Sequence, residues 1–173
     1  MNHDSYPDAY VLDILRSVKT IAMVGASANP ARPSFLVLNY LAGRGYTMLP
    51  VNPGLAGGAI GAIPVWASLA AAPQPIDMVD VFRNSEAAGA VVDEALALET
   101  PPKVIWMQLG VRNDEAAARA EARGVKVVMN RCPKIEFGRF SGEISWSGVN
   151  SRVISSRRPT AGTGFQRLTI GPK

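Results

Sequence analysis

The chain has 173 residues, of which 47% are apolar, with 18 Lys and Arg against 14 Asp and Glu and a formal net charge of +4. That length suits one domain with a substantial core, and the absence of any unbroken apolar run of about 18 residues argues against a membrane span. A lone cysteine, Cys132, and a lone histidine, His3, leave no internal disulfide, no thiolate metal cage, and no basis for a histidine triad or zinc site.

The opening "MNHDSYPDAYVLDILRSV" places His3 in a short polar lead-in of the kind that is commonly loose. It has acids and no basic region before an apolar stretch, so no signal peptide is expected and a cytoplasmic location is. Apolar residues at 11, 12, 14, 15 and 18 predict a helix over Asp8 to Val18. Six strand-like runs follow: "TIAMVG", "YTMLPV", a short "AIPVW", "IDMVDVF", "KVIWMQ" and "VKVVMN". Their near-continuous apolar character suits strands covered on both faces. Between them, "SFLVLNYLAGRG", "SEAAGAVVDEALALE" and "NDEAAARAEARG" read as helices. The last has Asn113 as its N-cap, acids in its first turn and Gly124 after its end. Alternating strands and helices predict an α/β doubly wound parallel sheet in three layers, in the order 3-2-1-4-5-6. In that order the strands ending at Gly25 and Phe82 flank the point where winding reverses, and ligands bind outside the strand ends there.

The loop "VGASANPARPS" falls on that crevice. Gly25 follows the first strand, Ala26 and Ser27 form the turn, and Ser34 starts the next helix. Small residues let backbone amides approach an anion, and the helix N-terminus adds partial positive charge. Ser27 and Ser34 offer hydroxyls, and Arg32 can pair with a phosphate. A plain strand-to-helix turn, with Ser34 only a cap, is the alternative. Only one glycine of the usual G-x-G-x-x-G fingerprint is present in that form. The second strand ends in "VNPG", with Asn52 and Pro53 where NAD proteins place an acid on the ribose. The lack of that acid disfavours NAD and is compatible with NADP or with coenzyme A.

Taken in order, "VGASANPARPS", "GYTMLPVNPG", "IDMVDVFRNSE" and "IWMQLGVRNDEAAARAEARGVKVVMNRCPKIE" resemble the stand-alone CoA-binding domain family, related to the nucleotide-binding domain of the succinyl-CoA synthetase alpha subunit. The likeness runs from about Asp8 to Phe140. It implies a Rossmann-like domain, residues 1–140, that binds the nucleotide end of coenzyme A. On that resemblance Gly25, Ser27 and Arg32 hold phosphates, Asn52 and Pro53 border the adenosine, and Phe82 and Arg83 lie across the crevice. Gln108 and Gly110 shape the next strand end, where the pantetheine arm leaves. Phe82 as core, Arg83 as a surface residue and Asn52-Pro53 as a turn are the alternatives.

Cys132 in "MNRCPK" has Arg131 and Lys134 nearby to favour a thiolate, which makes it a candidate redox thiol for a mixed disulfide with coenzyme A; a packed, inert cysteine is the other reading. The related synthetase uses a phosphorylated histidine in a further domain, and this chain has no suitably placed histidine. Neither paired carboxylates nor an activated nucleophile marks a strand end. The leading expectation is therefore non-enzymatic binding of coenzyme A or an acyl-CoA. The alternatives are an NADP-binding oxidoreductase or redox-sensing nucleotide regulator, and a CoA-recruiting component of an acyl-CoA synthetase complex. The basic excess lies in residues 141–173, which carry five Lys and Arg and one acid. With a short Arg pair and sparse aromatics, this extension is expected to be partly ordered and solvated. It is available to a protein partner, with no nucleic acid or membrane implied.

Overall fold

Burial on both faces decides which apolar runs form the sheet. In the computed structural model, which describes residues 1–141, five strands pair in parallel: β1 (Thr20–Val24), β2 (Thr47–Val51), β5 (Met78–Val81), β6 (Val104–Met107) and β7 (Lys126–Val128). Their order is β2-β1-β5-β6-β7. The two remaining strands, β3 (Ala59–Ile60) and β4 (Ile63–Pro64), make a separate antiparallel hairpin.

That hairpin corrects the expected third strand. "AIPVW" contributes no full strand to the main sheet, because Gly61 turns the chain at φ +62° and Pro64 has no amide to donate. What survives is one parallel bridge between Val51 and Trp66, with the Trp66 amide donating to the Pro50 carbonyl and the Asn52 amide to the Trp66 carbonyl, both at 2.9 Å. The segment thus sits at the outer edge of β2, where the predicted order put it. The other five strands occupy their expected positions.

Helices α1 (Asp8–Ser17), α2 (Pro33–Gly43) and α5 (Pro133–Ser141) cover one face; α3 (Ser85–Leu96) and α4 (Asp114–Ala122) cover the other. Strand alternation sorts the side chains. Ile21, Met23, Met78, Val104, Trp106 and Val128 pack toward α1, α2 and α5, while Ala22, Val79, Val81, Ile105, Met107 and Val127 pack toward α3 and α4. Each buried aliphatic side chain stabilises the fold by roughly 1.5–3 kcal/mol. Trp106 is fully buried, and its indole N–H donates to the Arg131 carbonyl at 2.8 Å.

Two further differences from expectation concern the ends of the described chain. The lead-in is packed: His3 is buried, its Nδ1 lies 2.9 Å from the Tyr6 hydroxyl, and that hydroxyl accepts from the Met129 amide at 2.7 Å. Helix α5 was not predicted. It begins with Pro133 at its first turn and sets Phe137 edge-on to Tyr40 and Tyr46. Its buried Glu136 accepts from Arg139, which also reaches Asp8. The expected extension lies outside the described residues apart from Ser141, which ends α5. Among the described residues no helix is long and apolar enough to cross a membrane.

Candidate functional site

The chain winds outward from β1 to β2, then returns to the other side of β1 and continues through β5, β6 and β7. Winding therefore reverses between β1 and β5. At that point Phe82 donates its amide to the Val24 carbonyl at 2.8 Å, and Gly25 donates to the Val51 carbonyl at 3.0 Å. Three strand ends are thereby tied together. Gly25 is the residue that permits it. Its φ is +91°, and a Cβ there would stand 2.4 Å from the Phe82 carbonyl oxygen and 3.2 Å from Arg83 Cδ.

Above this junction opens a cavity of about 540 Å³, within the range of small-molecule sites. Its first wall is the loop after β1: Gly25, Ala26, Ser27, Arg32, Pro33 and Ser34. The loop is folded on itself, with Ser27 Oγ accepting from the Asn29 amide at 3.2 Å and Asn29 Oδ1 accepting from the Ala31 amide at 2.9 Å. Ala26 and Ser27 amides have no acceptor among the described residues. Arg32 is the N-cap residue of α2 and gives the helix no side-chain cap. In the first turn of α2 Pro33 has no amide, and the Phe35 and Leu36 amides donate to the Arg32 carbonyl at 3.0 and 3.4 Å, so the Ser34 amide and the positive dipole end of the helix are what it offers an anion. Ser34 is only 4% exposed as a residue, and its hydroxyl, without a hydrogen bond among the described residues, opens to the cavity it lines.

The second wall is Phe82, Arg83 and Asn84. Asn84 caps α3, its Oδ1 accepting from the Ala87 amide at 2.8 Å, so a second helix N-terminus faces the same space. Asn52 completes the lining from β2. Its Nδ2 donates to the Ala26 carbonyl at 2.8 Å and its Oδ1 accepts from the Gly54 amide at 2.9 Å, which fixes the end of β2 to the first loop. The lining contains no carboxylate, and neither Arg32 nor Arg83 forms an ion pair among the described residues.

A family model described as a CoA binding domain matches residues 19–138, from just before β1 into α5. The chain belongs to the CoA binding domain family. The YneT protein of Bacillus subtilis (strain 168) is 39% identical over 127 residues, covering 73% of this chain and 91% of that one. A hypothetical protein from Pyrococcus horikoshii OT3 superposes with a TM-score of 0.75 at 32% identity, over 82% of this chain and 97% of its own. A Thermus thermophilus protein superposes with a TM-score of 0.72 at 36% identity, over 78% of this chain and 98% of its own.

Within this CoA binding domain, eight residues singled out from the sequence line one cavity: Gly25, Ala26, Ser27, Arg32, Ser34, Asn52, Phe82 and Arg83. Four others do not. Pro53 is exposed and opens the single 3₁₀ turn Pro53–Leu55. Gly110, at φ +77°, takes the Asn130 side chain on its amide at 2.8 Å in the loop after β6. Gln108 is buried, and its Nε2 donates to both oxygens of Asp80 at 2.8 and 3.1 Å. Burial pushes the Asp80 carboxyl up to about 7 against the opposing effect of that hydrogen bond. Cys132 is buried just ahead of α5. Burial raises its thiol to about 11 despite the Ile135 and Lys134 amides, so it is protonated at neutral pH. Asn84 and Pro33 complete the lining and were not singled out. The Asn84 signal was an N-cap signature, asparagine immediately before the helical "SEAAGAVV".

Proposed function

We propose that the protein binds coenzyme A or an acyl-CoA without transforming it, with the nucleotide end in the cavity between the β1 and β5 ends. The observation that carries this reading is the convergence, among the described residues, of two guanidiniums without an ion pair, the cavity-facing Ser34 hydroxyl and two helix N-termini on a space lined by no acid. Gly25, Ala26, Ser27, Arg32 and Ser34 form the phosphate loop, while Asn52 and Pro53 border the adenosine. Phe82 and Arg83 close the opposite side, and the pantetheine arm leaves toward Gln108 and Gly110. Binding rather than catalysis is favoured because the titratable side chains lining the cavity are arginines, always charged and poor at proton transfer. Asp80, whose carboxyl burial pushes up to about 7, is 0% exposed and is not part of the lining.

Calorimetric titration of the full chain with coenzyme A, NADP and NAD tests this. Micromolar coenzyme A binding is expected, weakened in Arg32→Ala by roughly 1.5–3 kcal/mol, the range of a charge-assisted hydrogen bond, with an unchanged thermal melt. Micromolar NADP binding with coenzyme A silent would replace this reading with a nicotinamide one, which the absence of an acid at the end of β2 also permits.

A further inference from the structure

We propose that the cavity reads the diphosphate of its ligand and leaves the ribose phosphate unread, so that dephospho-CoA is held about as tightly as coenzyme A. This rests on the reading that the cavity receives the nucleotide end of a CoA. Arg32 and Arg83 are the cationic residues of the lining, and they arrive from opposite faces of the sheet. Arg32 heads α2, while Arg83 stands one residue ahead of the α3 cap. Because a Cβ on Gly25 would lie 3.2 Å from Arg83 Cδ, the aliphatic stem of Arg83 crosses the turn after β1. Both guanidiniums therefore serve the same loop.

Ser34 gives an independent mark of a ligand at this loop. The residue is 4% exposed and lines the cavity, and its hydroxyl forms no hydrogen bond among the described residues. No buried side-chain polar atom among the described residues lacks a partner, so the unbonded Ser34 oxygen is one that opens to the cavity, where a ligand group or water completes it. Two guanidiniums, this hydroxyl and the free Ala26 and Ser27 amides present donors from both sides of one turn. Two adjacent phosphoryl groups match that arrangement, one toward each helix.

The β2 end is different. In sheets wound this way the end of the second strand meets the ribose hydroxyls. Here Asn52 has its amide committed to the Ala26 carbonyl and the Gly54 amide. The chain that follows, Pro53 to Gly58, carries no charge. A phosphate on the ribose meets no acid to repel it and, among the described residues of the lining, no cation on that side to hold it. It stays in water and adds little affinity.

The test is calorimetric titration of the full chain with coenzyme A and dephospho-CoA, using the wild type, Arg32→Ala and Arg83→Ala. The two ligands are expected to bind the wild type within about threefold of each other, a solvated phosphate being worth little. Each arginine variant should weaken both ligands by the same factor, about tenfold or more, as for loss of a charge-assisted bond. Coenzyme A binding about tenfold tighter than dephospho-CoA, or an arginine variant that penalises coenzyme A alone, would overturn the inference while leaving the CoA reading standing. If the wild type binds neither ligand, the CoA reading itself fails, and the inference with it.

Discussion

Asp80→Asn should stabilise the protein, and by an amount that grows with pH. Asp80 lies in β5 between Met23 of β1 and Trp106 of β6, is 0% exposed, and its carboxyl accepts hydrogen bonds from Gln108 Nε2. Burial moves its pKa from 3.8 to about 7. Since the folded value lies above the unfolded one, the native state holds the proton more tightly. The carboxyl then costs nothing below the unfolded pKa, and stability falls as the pH rises from about 4 to about 7, the reverse of a salt-bridged carboxylate. A shift of roughly three units corresponds to about 4 kcal/mol of destabilisation by about pH 8. Asparagine keeps the shape and still offers Gln108 an oxygen, but it cannot ionise. Its extra N–H adds an offset of about 1 kcal/mol that does not depend on pH. The diagnostic is therefore the change in the wild type-to-variant difference between pH 4 and pH 8, measured by urea denaturation and expected to be about 4 kcal/mol. In thermal melts at pH 8 that corresponds to a rise of about 10 °C. A difference that stays constant across the range would refute the reasoning, because it would mean that Asp80 does not titrate above the unfolded value.

Gly25→Ala should destabilise the fold by about 2 kcal/mol or more, through positive-φ strain joined to a clash with backbone rather than with a yielding side chain. A Cβ at this position, 2.4 Å from the Phe82 carbonyl oxygen, leaves no room for the methyl unless the β1 and β5 ends separate. Equilibrium denaturation checks this, and unaltered stability would show that the two strand ends do not meet as described. Cys132, buried with its thiol near 11, should alkylate with iodoacetamide far more slowly in the native protein than in denaturant. After exposure to CoA disulfide, nonreducing intact-mass analysis should show no adduct. Rapid adduct formation on the native protein would restore the redox reading of "MNRCPK".

The fold was legible wherever local chemistry and tertiary burial agreed. Asn113 does cap α4 through the Ala116 amide, and Gly124 at φ +77° does end the turn that follows it, because both act within a few residues of chain. "AIPVW", read as a short strand of the main sheet, forms part of a hairpin instead, because an apolar run says nothing about direction. Gly61 and Pro64 impose a hairpin first and leave Trp66 to bridge to β2, while Val65 bonds back to Gly57 and Gly58. α5 was missed for a related reason. Its apolar positions Ile135, Phe137 and Phe140 make a weak periodic pattern, and its partners on α1 and α2 lie far away in sequence.

The candidate site shows the same division, and Gln108 marks its limit. The family resemblance implies that Gln108 shapes the strand end where the pantetheine arm leaves, and residue type alone says no more than that. Strand parity gives it a structural partner as well. Gln108 follows Trp106 by two residues, so it shares the face on which Trp106 stands beside Asp80 in the register. An acid at the centre of a covered sheet has to find a donor from within the same layer, and Gln108 is the polar side chain that parity delivers there. Periodicity identifies the faces of each strand, whereas the pairing of β5 with β6 is a tertiary fact. Only that pairing reveals whether a polar strand end looks outward to a ligand or inward to a buried charge.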